Sequence, residues 1–279
     1  MNLKTVTLPC GAAVPALGQG TWNMGENRAA RKSELAALQL GMDLGLTLID
    51  TAEMYGEGAA EELVAEALAG RRGEAFIVSK VYPHNASRKG TAAACERSLK
   101  RLKTDRIDLY LLHWRGNIPL EETMQALDGL RQAGKIRHYG VSNLDLADMQ
   151  ALWKTPEGRN VQVNQLLYNL TRRGIEWDLL PWMREHKLPL MAYSPIEQAR
   201  LLRNKGLQEF AKRQGFSPAQ AALAWLLDRD GIIAIPKTGT PERVRENHAA
   251  LGIRLDEKQR AELDALFPPP KGPKPLEML

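Results

Sequence analysis

Asp50, Tyr55, Lys80 and His113 are side chains of the types that together can deliver a proton to a carbonyl oxygen. A tyrosine near its reference pKa of about 10 is a poor acid at neutral pH. A Lys ammonium beside it favours the phenolate and lowers that value, and a carboxylate keeps the ammonium in place and charged. A neighbouring histidine can orient the carbonyl oxygen or share its proton. Singly, each residue also has an ordinary reading. Asp50 suits a helix cap or turn, Tyr55 surface packing in a YGEG loop, Lys80 a solvated position and His113 the core. As a set they mean something only if the fold brings them to one place.

Eight short apolar runs, at 17–22, 46–50, 75–80, 107–113, 136–142, 161–165, 188–194 and 231–237, read as strands. Most are β-branched or leucine-rich, as expected of parallel strands buried on both faces. Helical patterns lie between them at 32–45, 58–70, 89–102, 120–133, 145–154, 175–187, 217–229 and 241–250. Ser217-Pro218 and Thr240-Pro241-Glu242 carry start signals, a hydroxyl that can cap and a proline suited to the first turn. Gly70, Gly134 and Gly215 read as stops. Eight alternations of strand and helix predict an α/β fold, a closed (β/α)₈ TIM barrel forming a single domain over 1–279. A hairpin around Cys10-Gly11 should precede the barrel at its bottom. Extra helices are expected at 202–214 and 256–266, and the PPPKGPKPLEML tail should run extended on the surface, offering little lid.

Functional groups in such barrels sit at the C-terminal ends of strands and in the loops that follow. Asp50 ends the second strand and Tyr55 lies in the next loop; Lys80 ends the third, and His113 with Trp114 the fourth. Thr21-Trp22, Ser142-Asn143, Asn164-Gln165, Tyr193-Ser194 and Lys237 end the others. The four candidate residues therefore fall at one mouth, on three adjacent strands.

Composition narrows the alternatives. The 279 residues are 44% hydrophobic, enough for a substantial core, and the net charge is +5. The cations are interleaved with Asp and Glu on helical faces, which points to a solvated surface and away from nucleic acid. Cys10 and Cys95 supply neither a disulfide framework nor a metal-ligand spacing, so both are expected as reduced thiols in a cytoplasmic protein without metal. No stretch approaches a membrane span or a leader peptide. With no evident apolar patch, a monomer is the expectation.

The segments LIDTAEMYGEG, VSKVYPHN, LLHW, GVSN, VNQLLYN, AYSP and IPKTGTPERVREN resemble those of the aldo-keto reductase superfamily, in family order from about residue 3 to 270. The compact form is similar to bacterial reductases of methylglyoxal and diketogluconate. The resemblance implies that Asp50, Tyr55, Lys80 and His113 are a catalytic tetrad acting with NADPH on small carbonyl compounds. It implies a nicotinamide held by Ser142, Asn143 and Gln165 and stacked on Tyr193, with Thr21, Trp22 and Asp50 toward the ribose. Ser194, Pro195 and Ile196 would follow the pyrophosphate. Lys237, Thr238 and Arg243 would hold the 2′-phosphate, with Glu246 and Asn247 near adenine. Trp22, Met54, Tyr82, His84 and Trp114 would wall the substrate pocket. HWRGN departs from the family's HWP-type sequence, so Arg115 either meets an anionic substrate or stands in solvent. No GxGxxG follows the first strand, so a cofactor must rest across the barrel mouth.

Two other readings compete. One is a cofactor-binding regulatory protein on the same fold with weak or no turnover. The other is a Schiff-base aldolase using Lys80, which would require an amine that loses its proton readily.

Overall fold

The computed structural model describes residues 3–279. β1 (Thr5–Thr7) and β2 (Ala13–Pro15) form the antiparallel hairpin expected around Cys10. Eight parallel strands follow: β3 (Gln19–Gly20), β4 (Leu48–Asp50), β5 (Phe76–Val81), β6 (Ile107–Leu112), β7 (Ile136–Ser142), β8 (Asn164–Leu167), β9 (Leu190–Tyr193) and β10 (Ile232–Ala234). They pair in simple sequence order from β3 to β10.

The sheet closes on itself. Parallel bridges join Leu17 to Ala234 and Gly20 to Lys237, with Gly18 N donating to the Ala234 carbonyl at 2.8 Å. Gly20 permits that approach, since a Cβ there would sit 2.9 Å from the Ile235 carbonyl oxygen. The (β/α)₈ barrel is therefore as expected, with strands somewhat shorter than the apolar runs.

Helices α1 (Arg31–Asp43), α2 (Ala59–Ala67), α3 (Arg88–Leu102), α4 (Leu120–Gln132), α5 (Leu146–Leu152) and α6 (Leu179–Glu185) follow the first six barrel strands. After β9 come the extra α7 (Lys205–Gln214), then α8 (Pro218–Leu227); α9 (Pro241–Ala249) and the extra α10 (Glu257–Leu266) complete the set. None of the helices is long and apolar enough to cross a membrane among the described residues. Ser217 caps α8 as a capping box with Gln220. Thr240, in a similar sequence context, does not bond α9 through its side chain.

The tail runs extended along the surface, as expected, and is pinned back onto the barrel. Leu276 packs on the core, and Arg172 Nη1 donates to the Glu277 carboxylate at 2.7 Å. A Cβ on Gly174 would stand 3.4 Å from the Lys274 Cβ, so glycine leaves room for the strand to pass. The Leu279 backbone comes near the Tyr193 hydroxyl.

Candidate active site

Asp50 closes β4, and in the register Asp50 stands beside Gly20 on one side and Val78 on the other. Lys80 lies two residues further up β5 and is fully buried. Its ammonium donates to Asp50 Oδ2 at 2.8 Å, to the Thr51 carbonyl at 2.9 Å and to the Tyr55 hydroxyl at 3.1 Å. An ammonium has three donors, and all three are used. The other Asp50 oxygen accepts from Gln165 Nε2 at 2.7 Å. β8 faces β4 across the barrel, so this bond places both side chains on the interior. The Tyr55 ring meets His113 edge-on at 5.8 Å between centroids. The four expected residues do converge, and Gln165 joins them.

The Tyr55 loop is held from beneath. Gly56, Glu57 and Gly58 have φ of 56°, 54° and 98°, a left-handed stretch that glycine tolerates at its two ends. The Glu53 carboxylate, buried, accepts from Tyr82 N at 2.9 Å, Asn85 Nδ2 at 3.0 Å and Arg97 at 3.2 Å. Glu61, at the start of α2, accepts from Ser79 at 2.6 Å and Arg101 at 2.6 Å. The Arg101 side chain passes so close to Gly58 that a Cβ there would lie 2.4 Å from its Cδ. Two buried carboxylates thus tie the loop to β5 and α3.

Electrostatics correct one expectation. Tyr55 was expected to be lowered by Lys80, yet its pKa is raised. Burial outweighs the Lys80 ammonium, and the Asp50 carboxylate adds to the upward push. Tyr55 is therefore a protonated phenol at neutral pH. For Lys80, burial alone would favour the neutral amine, but Asp50 and Tyr55 together raise its pKa. That charge argues against a Schiff-base amine.

Burial, with help from Lys80, pushes His113 down to about 2, and its Nδ1 is buried without a partner among the described residues. Because the folded value lies below the unfolded one, the unfolded chain takes up a proton that the native protein refuses. Stability should then fall by about 1.4 kcal/mol per pH unit below roughly 6.5 from this residue alone. Urea unfolding at pH 7.5 and 5.5 checks this. The difference between wild type and His113→Asn should widen in favour of the variant at the lower pH, and an unchanged difference would refute it.

The residues expected around a nicotinamide surround the same mouth. Asn143, at φ 55°, donates to the His113 carbonyl at 3.1 Å and accepts from the Tyr193 hydroxyl at 3.0 Å. Ser142 Oγ donates to the Gln165 carbonyl and Thr21 Oγ1 to that of Asp50, both at 2.9 Å. Ser194, Pro195 and Ile196 follow β9. Lys237 and Arg243 are exposed and have no carboxylate partner among the described residues; Thr238 and Glu246 are half-buried and Asn247 is buried. Two free cations thus flank the start of α9, where backbone N–H groups favour an anion.

On the substrate side, Tyr82, His84, His113 and Trp114 form a continuous aromatic group, with Tyr82–His84 at 4.6 Å and His113–Trp114 at 4.8 Å between centroids. Met54 is half-buried beside Tyr55. Trp22 is 40% exposed, which rules out a core role. Arg115 pairs with Asp148 at 3.5 Å.

Sequence reading missed Glu53, Glu61, Asn169, Arg172 and Glu197. All are charged or amide residues off any strand end, bonded to partners distant in sequence, and no spacing rule would have picked them out.

Comparison with known proteins agrees with this architecture. Residues 16–267 match the Aldo/keto reductase family profile. Methylglyoxal reductase YeaE of Escherichia coli (strain K12) is 50% identical, covering 100% of both chains. Glyoxal reductase of Bacillus subtilis (strain 168) is 34% identical over 99% of this chain and 97% of its own. An aldo-keto reductase from Klebsiella pneumoniae, crystallised in complex with NADPH, superposes with a TM-score of 0.97 at 51% identity, covering 100% of each chain. With the barrel, the converging Asp50, Tyr55, Lys80 and His113, and a match spanning nearly its whole length, this chain belongs to the aldo/keto reductase family.

Proposed function

We propose that the protein reduces small aldehydes and ketones to alcohols with NADPH, and that Tyr55 is the general acid. One observation carries this reading. Lys80 donates to the Tyr55 oxygen, so the phenol's own hydrogen is not consumed by that bond and is left for a substrate oxygen. The methylglyoxal and glyoxal reductases among the relatives, and the aromatic group Tyr82–His113–Trp114, support small or planar carbonyl compounds as substrates.

The residues present fit the cofactor. Lys237 and Arg243, unpaired at the start of α9, suit a 2′-phosphate, with Thr238 as a hydroxyl donor and Glu246 and Asn247 toward the adenine. Ser194, Pro195 and Ile196 would line the pyrophosphate, with Thr21 and Trp22 on the ribose side. Ser142, Asn143 and Gln165 offer donors and acceptors to a carboxamide beside the Tyr193 ring. When bound, NADPH supplies the hydride that converts the carbonyl carbon.

Tyr55 gives its proton to the oxygen as negative charge builds there. The phenolate left behind lies 3.1 Å from a permanently charged ammonium, which stabilises it without solvent having to reorganise. Asp50 and the Thr51 carbonyl hold that ammonium in position, and Gln165 fixes Asp50. Neutral His113 offers an N–H to the substrate oxygen at any working pH, and the Glu53 carboxylate ties the Tyr55 loop to the Tyr82 backbone.

The test is NADPH oxidation with methylglyoxal, glyoxal and a nitrobenzaldehyde, repeated with NADH. Turnover with NADPH is expected, and Arg243→Ala should raise the KM for NADPH about tenfold, as loss of a charge-assisted contact does. An unchanged KM would refute the 2′-phosphate assignment. NADPH binding without turnover across the panel would instead favour the regulatory reading.

A further inference from the structure

The loop after β9 has unusual backbone. Ser194, Glu197, Gln198 and Ala199, none of them glycine, have φ of 47°, 50°, 51° and 66°. Such conformations persist only where the surroundings over-determine them. Here Glu197 does so. Its carboxylate, 5% exposed, accepts from Asn169 Nδ2 at 2.8 Å, from Arg172 Nε at 3.0 Å and Nη2 at 2.8 Å, and from Arg200 at 3.1 Å. Asn169 Nδ2 also donates to the Ser194 carbonyl at 2.9 Å. The remaining edge of the Arg172 guanidinium points the other way, to Glu277 in the tail, at 2.7 Å.

One planar group therefore bridges two segments about 80 residues apart in sequence. Two residues beyond Glu277 the Leu279 backbone comes near the Tyr193 hydroxyl, which donates to Asn143. A guanidinium cannot turn toward one carboxylate without turning away from the other. Loop and tail are thus set by a common rigid part.

We propose that Arg172 is a positioning residue that couples the 194–199 loop to the 268–279 tail, so that a cofactor seated along the loop orders the tail over the Tyr193 end of the site. This rests on the reading above that the loop lies along the pyrophosphate. A lysine has the charge but not the two edges. Arg172→Lys should keep Glu197 paired and release Glu277. Glu277→Gln breaks the same bridge from the tail side and leaves the Glu197 cluster intact, so folding is not at issue for it.

Amide hydrogen exchange of the 268–279 peptide, with and without NADPH, reads the coupling directly. In wild type NADPH should slow tail exchange by about tenfold, and both variants should lose that slowing. Their KM for the aldehyde should also rise severalfold if the tail helps cover the site, with kcat changing less, since neither Arg172 nor Glu277 bonds Asp50, Tyr55 or Lys80. Quenching of tryptophan fluorescence reports NADPH binding separately. Saturable binding with a tail indifferent to NADPH, or a tail equally protected in Arg172→Lys, overturns the coupling alone. No NADPH binding at all takes the cofactor reading down with it.

Discussion

Replacing Tyr55 by Phe should lower kcat for aldehyde reduction by about 10²–10⁴-fold, the span typical of a lost general acid, and leave NADPH affinity almost unchanged. The ring stays, so its edge contact with His113 and the Lys80 ammonium 4.8 Å from its centroid can stay too. Only the hydroxyl goes. Because burial keeps the phenol protonated through neutral pH, the wild-type rate should be flat from mildly acidic to mildly alkaline conditions. His113, neutral throughout, adds no acidic limb. Single-turnover rates with pre-bound NADPH separate this from any defect in binding, and a Phe variant within a few-fold of wild type would remove Tyr55 from the mechanism.

Lys80→Met should cost more, because it damages fold and chemistry together. The Asp50 carboxylate would remain buried with only Gln165 and no counter-charge, and breaking a buried pair this way typically destabilises by about 3–5 kcal/mol. Urea unfolding at neutral pH measures that loss. Activity should fall at least as far as in the Tyr55 variant, since the phenolate would form without an ammonium beside it. The double variant Asp50→Asn with Lys80→Met removes both charges and should recover part of the stability but none of the activity. Equal stability of Lys80→Met and the double variant would mean that the unpaired Asp50 charge is not what destabilises the single variant.

The barrel was legible because its signals are local. Short β-branched runs alternate with capped amphipathic stretches, and closure follows from counting them. The convergence of Asp50, Tyr55, Lys80 and His113 at one mouth was legible for the same reason, since strand ends can be located without knowing what they touch. What depended on depth or on distant partners was not. Whether Lys80 or burial decides the acidity of Tyr55 depends on how far the loop sinks, which no residue in YGEG states. Proline-rich composition says that the tail is extended, but its destination is set by a bond between Arg172 and Glu277, far apart in the chain. Ser217 and Thr240 both precede prolines, yet only Ser217 caps; Gln220 completes a capping box three residues on, where α9 has Arg243.

The seam between β3 and β10 has a bearing on how the barrel breathes. β3 has two residues, and its join to β10 rests on isolated bridges between parts of the chain far apart in sequence. Contacts of that kind are paid for late in folding, after the loop entropy between them has been overcome. Gly20 sits in that joint and pairs in register with Asp50, so the seam that closes the barrel lies next to the carboxylate that holds the ammonium.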